Sequence, residues 1–229
     1  MQPSLRGTPR LRSGQAPRRS NPSFKTKIAS LPLVARNDNL NAILNLLGEA
    51  GVLKSVRRSG WWMLGMKHAE SVADHSFRAA LIAYLLARME KADPYDAVMI
   101  ALINDLHEAR INDLHKVGHR YIDFRAAEWK ASREQLAVLP PEINREMSRW
   151  VEELLKQSSR AAVIARDADL LECMIQGKEY SDQNHHPRAI DWMKRPAHLL
   201  RTKSGKKMAR ALARWKSDDW WQELVTLER

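Results

Sequence analysis

The sequence is short of cysteine, of long apolar runs and, at one end, of acidic residues, and each shortage excludes something. A single cysteine, Cys173, rules out an intramolecular disulfide and points to a reducing, cytoplasmic setting. No apolar stretch approaches the roughly 18–20 residues that cross a bilayer, so no membrane span is expected. The first residues hold no apolar segment of the secretory kind, which argues against export. Strand-like alternation is missing, and no segment repeats.

Acidic residues are absent from 1–37, where eight basic ones stand: Arg6, Arg10, Arg12, Arg18, Arg19, Lys25, Lys27 and Arg36. This segment holds most of the net charge of +11; the rest has 30 basic against 27 acidic residues. A nucleic-acid partner for the globular part is therefore not expected. Residues 1–37 are rich in Pro, Ser, Gly and Arg and are expected to be a basic disordered tail, with 38–229 as one domain. A transit peptide, an arm for nucleic acid and a lipid anchor are its functional alternatives; a plain extension or an upstream start codon is the simpler reading.

What remains is helical, so the fold class expected is all-α. Apolar periodicity predicts helices over 38–50, 72–91, 94 to about 110, 121–137, 141–157 and 159–180. A short helix near 188–194, another over 204–215 and a turn or helix from Asp218 complete the chain. Ser71 with Asp74 reads as a capping box, and Asp93 before Pro94 as a cap with proline at the first helical position. Ser158 or Ser159 and Ser204 are the caps expected for two later helices.

Polar residues interrupt these apolar faces. His75 lies in line with Val72, Ala79, Ile82 and Leu86. Asn104, Asp105 and Glu108 follow Val98, Ala101 and Leu102, and their spacing puts them on one side of a continuing helix. Asp169 follows Ala162 and Ala165. Burying ionised carboxylates costs several kcal/mol each unless a cation or ion pair compensates. A divalent metal held by imidazole and carboxylates would do so, with Glu108 and Asp113 orienting or deprotonating a water; periodicity alone leaves ordinary buried ion pairs equally open.

The segments Glu70-Ser71-Val72-Ala73-Asp74-His75-Ser76, Asn104-Asp105-Leu106-His107-Glu108-Ala109-Arg110, Asp113-Leu114 and Asp167-Ala168-Asp169-Leu170-Leu171-Glu172 resemble the successive motifs of HD-domain phosphohydrolases. The branch with the 5′-deoxynucleotidases is the best match. Arg58-Ser59-Gly60-Trp61 is similar to its substrate-binding segment, and Lys178-Glu179-Tyr180, Asp191-Trp192 and Asp219-Trp220-Trp221 also fit. The resemblance spans roughly residues 40–225 and implies an HD-domain helical bundle.

It further implies a divalent metal ion (Mn, Co, Mg, Fe or Zn) bound by His75, Asp105 and Asp169, with Asn104 where the family has a histidine ligand. Glu108 would be the acid/base, and Asp113 would protonate the leaving 5′ oxygen or hold the sugar. Arg58 would contact phosphate, and Trp61 would pack on sugar or base. The implied reaction is hydrolysis of 5′-(deoxy)nucleoside monophosphates by a homodimer. Asn104 offers a neutral oxygen, which shifts preference toward Mg or Mn. The alternative is an impaired HD-domain protein that binds nucleotide or a partner. His107 or His115 could stand in for the missing histidine, but on a continuous helix His107 would point aside, as a surface or supporting group. Elsewhere, Trp129, Trp150, Trp192 and Trp215 are expected in packing. Lys206, Lys207, Arg210 and Arg214 read as a solvated face, and His185-His186 as a loop.

Overall fold

The computed structural model describes residues 39–183 and 186–225. The basic tail, its boundary at residue 37 and His185 lie outside the described residues. Eleven α-helices are described: α1 (Asn39–Val52), α2 (Ser59–Trp62), α3 (Val72–Met89), α4 (Pro94–Ile103), α5 (Glu108–Ile111), α6 (Phe124–Leu136), α7 (Pro141–Lys156), α8 (Arg160–Asp182), α9 (Asp191–Ala197), α10 (Lys203–Leu212) and α11 (Asp219–Val225). Two 3-10 turns, Gly118–Arg120 and Pro187–Ile190, link them. No strand occurs among the described residues.

Local chemistry explains where the long helices start. Ser71 and Asp74 close the predicted capping box at α3. Asp93 accepts from the Tyr95 amide at 3.0 Å ahead of α4, and Ser159 from the Ala162 amide at 3.1 Å ahead of α8. The cap of α10 differs from expectation. Thr202, not Ser204, accepts from the Gly205 amide at 2.9 Å, while Ser204 is buried inside the helix and donates its amide to Glu90 at 2.7 Å.

α3, α4 and α8 pack on one another at the centre, and α8 also meets α7, α9 and α10. Such a helix needs apolar residues on most sides, and α8 buries Ala162, Ile164, Ala165, Ala168, Leu171 and Met174. Alanines at 79, 83, 87, 97, 101, 162, 165 and 168 are all buried and let the three backbones approach closely. Leu86, Ile100, Ile164 and Leu171 fill the space between them. Trp150 closes the α7 side with Nε1 donating to Asp96 at 2.8 Å. Close approach also sets the α8–α9 junction, where Trp192 sits between Gly60 and Gly177. A Cβ on Gly60 would stand 2.4 Å from its ring, and one on Gly177 2.9 Å from the Ala189 carbonyl oxygen.

One expectation fails in an informative way. The apolar pattern predicts a single helix from 94 to 110, yet α4 ends at Ile103. The chain then tightens into three-residue turns, with the amide of Leu106 on the carbonyl of Ile103 at 3.1 Å and that of Glu108 on Asp105 at 3.0 Å. A second break follows at Asn112, whose positive φ of 61° with ψ of 166° ends the helix. These two breaks aim Asp105, Glu108 and Asp113 at the N-terminal end of α3.

Candidate active site

His75 lies in the first turns of α3 and is 1% exposed. Its Nε2 is 3.0 Å from Asp169 Oδ1 on α8 and 3.5 Å from Asp105 Oδ2 in the turn after α4. The three residues that the family resemblance singles out thus converge from three elements. Asn104 is half-buried at the end of α4, and no hydrogen bond reaches its side chain among the described residues. Asp167, two residues before Asp169 on the same helix, has a different task. It is fully buried and accepts from the amides of Arg201 and Thr202 and from the Thr202 hydroxyl, tying α8 to the start of α10.

Arg58 enters from the segment before α2. Its Nη1 is 3.4 Å from Asp105 and 3.5 Å from Asp113, and its Nη2 donates to Cys173 Sγ at 3.4 Å. Asp113 also accepts from the Ser59 amide at 3.0 Å and the Ser59 hydroxyl at 3.2 Å. Glu108 is 5% exposed, and its Oε2 has no hydrogen-bond partner. Burial, then the charges of Asp105 and Asp113, push the Glu108 carboxyl up to about 10.

Burial opposes charge on Asp169, but the hydrogen bond from His75 and the Arg166 guanidinium hold it well below the usual carboxylate range. Burial and Arg58 likewise oppose charge on His75, and Glu172 and Asp169 outweigh them, so its proton is held more tightly than usual. Burial pushes the Cys173 thiol up to about 11.

Sequence reasoning missed the layer that fixes His75. Its Nδ1 bonds Glu172, which accepts from Arg78 at 2.9 and 2.8 Å, and Arg78 reaches Glu179 at 2.7 Å. Helical spacing was the available signal: Arg78 lies three residues after His75, and Glu172 three after Asp169. Such a carboxylate on the far nitrogen fixes both the tautomer and the direction of the near one.

Trp61, expected to pack on a sugar or base, is 2% exposed. Trp192 and Tyr180 wall it in at ring distances of 4.7 and 5.3 Å, and its Nε1 donates to Glu70 at 2.7 Å. Its place is beneath the Arg58 segment, and the exposed neighbour is Trp62, edge-on to His115 at 5.5 Å. His107 is 3% exposed rather than a surface group, because the turn after Ile103 rotates it inward. Its Nε2 has no hydrogen bond, and the Glu128 carboxylate stands 4.0 Å away.

The donors fit a divalent cation. One imidazole nitrogen and two carboxylates face one another, the far nitrogen is anchored, and the buried Glu108 Oε2 has no hydrogen-bond partner.

The family profile described as the HD domain matches residues 50–206. The 5′-deoxynucleotidase HDDC2 of Homo sapiens is 29% identical over 147 residues, covering 64% of this chain and 72% of its own. That of Bos taurus is 31% identical over 151 residues, covering 65% and 71%. Among solved structures, a conserved hypothetical protein from Pyrococcus furiosus aligns with a TM-score of 0.64 at 28% identity, over 75% of this chain and 99% of its own. The product of a predicted coding region from Archaeoglobus fulgidus aligns at 0.56 and 32%, over 80% and 100%. Fold, site and relatives together define an all-helical, metal-dependent phosphohydrolase. The motif order is that of one group in particular, and the chain belongs to the HD-domain family.

Proposed function

We propose that this protein hydrolyses 5′-deoxynucleoside monophosphates to nucleoside and phosphate. The observation that carries the reading is Arg58, a guanidinium enclosed by Asp105, Asp113, Glu108 and Cys173 at the mouth of the His75 centre. A planar fork of donors there suits phosphate oxygens. The nucleotide class is supported by the relatives, which carry the name 5′-deoxynucleotidase.

His75, Asp105 and Asp169 would hold the divalent cation, Mn, Co, Mg, Fe or Zn, with Asn104 beside them. The cation would supply charge to neutralise the phosphate and acidify an attacking water. Arg58 binds the phosphate and gives up part of its pairing with Asp105 and Asp113 to do so. Glu108, whose carboxyl is pushed up by burial and by Asp105 and Asp113, is the group that delivers a proton to the leaving 5′ oxygen. Asp113, held by two Ser59 donors, is fixed as an acceptor and suits the sugar hydroxyl better than the leaving oxygen. Trp61 supports the Arg58 segment from below.

Among the described residues no helix is long and apolar enough to cross a membrane. We read the chain as cytoplasmic on its single free thiol, and as a homodimer on the exposed apolar face of α3 that carries Phe77, Leu81, Tyr84 and Leu85.

Phosphate release over deoxy- and ribonucleoside 5′-monophosphates with Mn, Co or Mg tests the reading. Turnover of the deoxynucleotides is expected with at least one metal. No release from any nucleotide with any metal would sink it.

A further inference from the structure

The centre contains one soft donor that the family reading leaves unused. Cys173 follows Asp169 by four residues on α8, about one turn, so both side chains leave the same face. Its Sγ, a carboxylate oxygen of Asp169 and a ring nitrogen of His75 all lie within 4.8 Å of one another. Donors bonded to one ion at about 2.0–2.3 Å stand about 3–4 Å apart, so modest side-chain rotations bring these three onto a common centre.

Independent features point to a cation at this place. The Glu108 carboxylate faces Asp105, Arg58 and His75, and its buried Oε2 has no partner. Arg58 Nη2 donates to Sγ at 3.4 Å, so the sulfur already acts as an acceptor toward positive charge. Asn104, at the end of α4, brings no nitrogen base to the site.

We propose that Cys173 is a ligand of the divalent cation, joining His75, Asp105 and Asp169 and taking the place of the nitrogen donor that position 104 lacks. This rests on the metal-dependent reading of the same site. Ligation exchanges the S–H bond for a sulfur–metal bond, and the proton leaves to solvent. A thiolate is soft, so one imidazole, two carboxylates and one sulfur favour Zn, Co or Fe over Mg or Mn. That reverses the preference that Asn104 alone implies. The bland account makes Cys173 a small buried filler, which predicts no metal–sulfur signal.

The test uses the full-length chain loaded with Co(II). Wild type is expected to show thiolate-to-cobalt charge-transfer absorption in the near ultraviolet. Cys173→Ser should lose that band and bind Co and Zn about 10–100-fold more weakly in chelator competition, on the scale that even a ligand's supporting partners command. Asn104→His added to Cys173→Ser should restore affinity without the band, which separates ligand loss from misfolding. Cobalt-loaded wild type without the band, or Cys173→Ser with unchanged affinity, would overturn the assignment. If phosphate release persists in those cases, only the sulfur ligand falls. If no metal supports release, the hydrolase reading falls with it.

Discussion

Glu108 is buried with Asp105 and Asp113 close by, and that crowding favours its protonated form. A carboxamide of the same shape can fill the space but cannot exchange a proton. Glu108→Gln should therefore lower kcat for phosphate release by roughly 10²–10⁴-fold, the usual worth of general acid–base catalysis, with metal content unchanged. Steady-state phosphate assays and metal analysis on the same preparation measure both; near-wild-type turnover would remove Glu108 from the mechanism. At this scale polar groups on apolar faces marked His75, Asp105, Glu108 and Asp169 as candidates, while the roles proposed for them came from the family resemblance. The orientation of Trp61 could not, since a tryptophan in a binding segment can face either the ligand or the core. Nor could the partners of His75 Nδ1, which are set by how α3 and α8 lie side by side.

Between elements, a carboxylate at the end of α3 holds the start of α10. Glu90 accepts from the Ser204 amide at 2.7 Å, and Arg160 adds a 3.4 Å pair. The Ser204 hydrogen bonds are the first cause of its carboxyl being held below its ordinary value of 4.5. A depressed carboxylate stabilises the fold above its unfolded value, and the gain is lost as pH falls through the folded value. Glu90→Gln should then be less stable at pH 7 by about 1 kcal/mol, the scale of a hydrogen bond to a charged group discounted for exposure. The gap should close as pH drops below 4.5. Urea unfolding of both proteins across that range checks it, and a gap independent of pH would show that the charge plays no part. Most helices were visible in the sequence because caps and periodicity agree, as at Ser71 and Asp93. The break after Ile103 was hidden because Leu106 and Ala109 continue the apolar pattern through a turn, and that break is what turns His107 inward.

Across the whole molecule, the order of helices and the central place of α3, α4 and α8 follow from patterning, but the outer surface carries a feature that one chain does not explain. Phe77, Leu81, Tyr84 and Leu85 are 73%, 52%, 45% and 45% exposed. Their spacing on α3 makes one stripe, directly opposite the face that buries His75, Ala79, Ile82 and Leu86. An apolar stripe of this kind marks a protein contact, and a stripe along one helix pairs readily with its own copy about a two-fold axis. Because α3 carries His75 on its other face, such a contact would stiffen the helix that presents the imidazole. Size-exclusion chromatography with light scattering should give twice the 26.3 kDa chain mass for wild type. Leu81→Glu places a charge in the middle of the stripe and should yield the single-chain mass with its helical content intact. A wild-type protein that runs as a monomer, or a Leu81→Glu variant that stays a dimer, would remove this face from the interface.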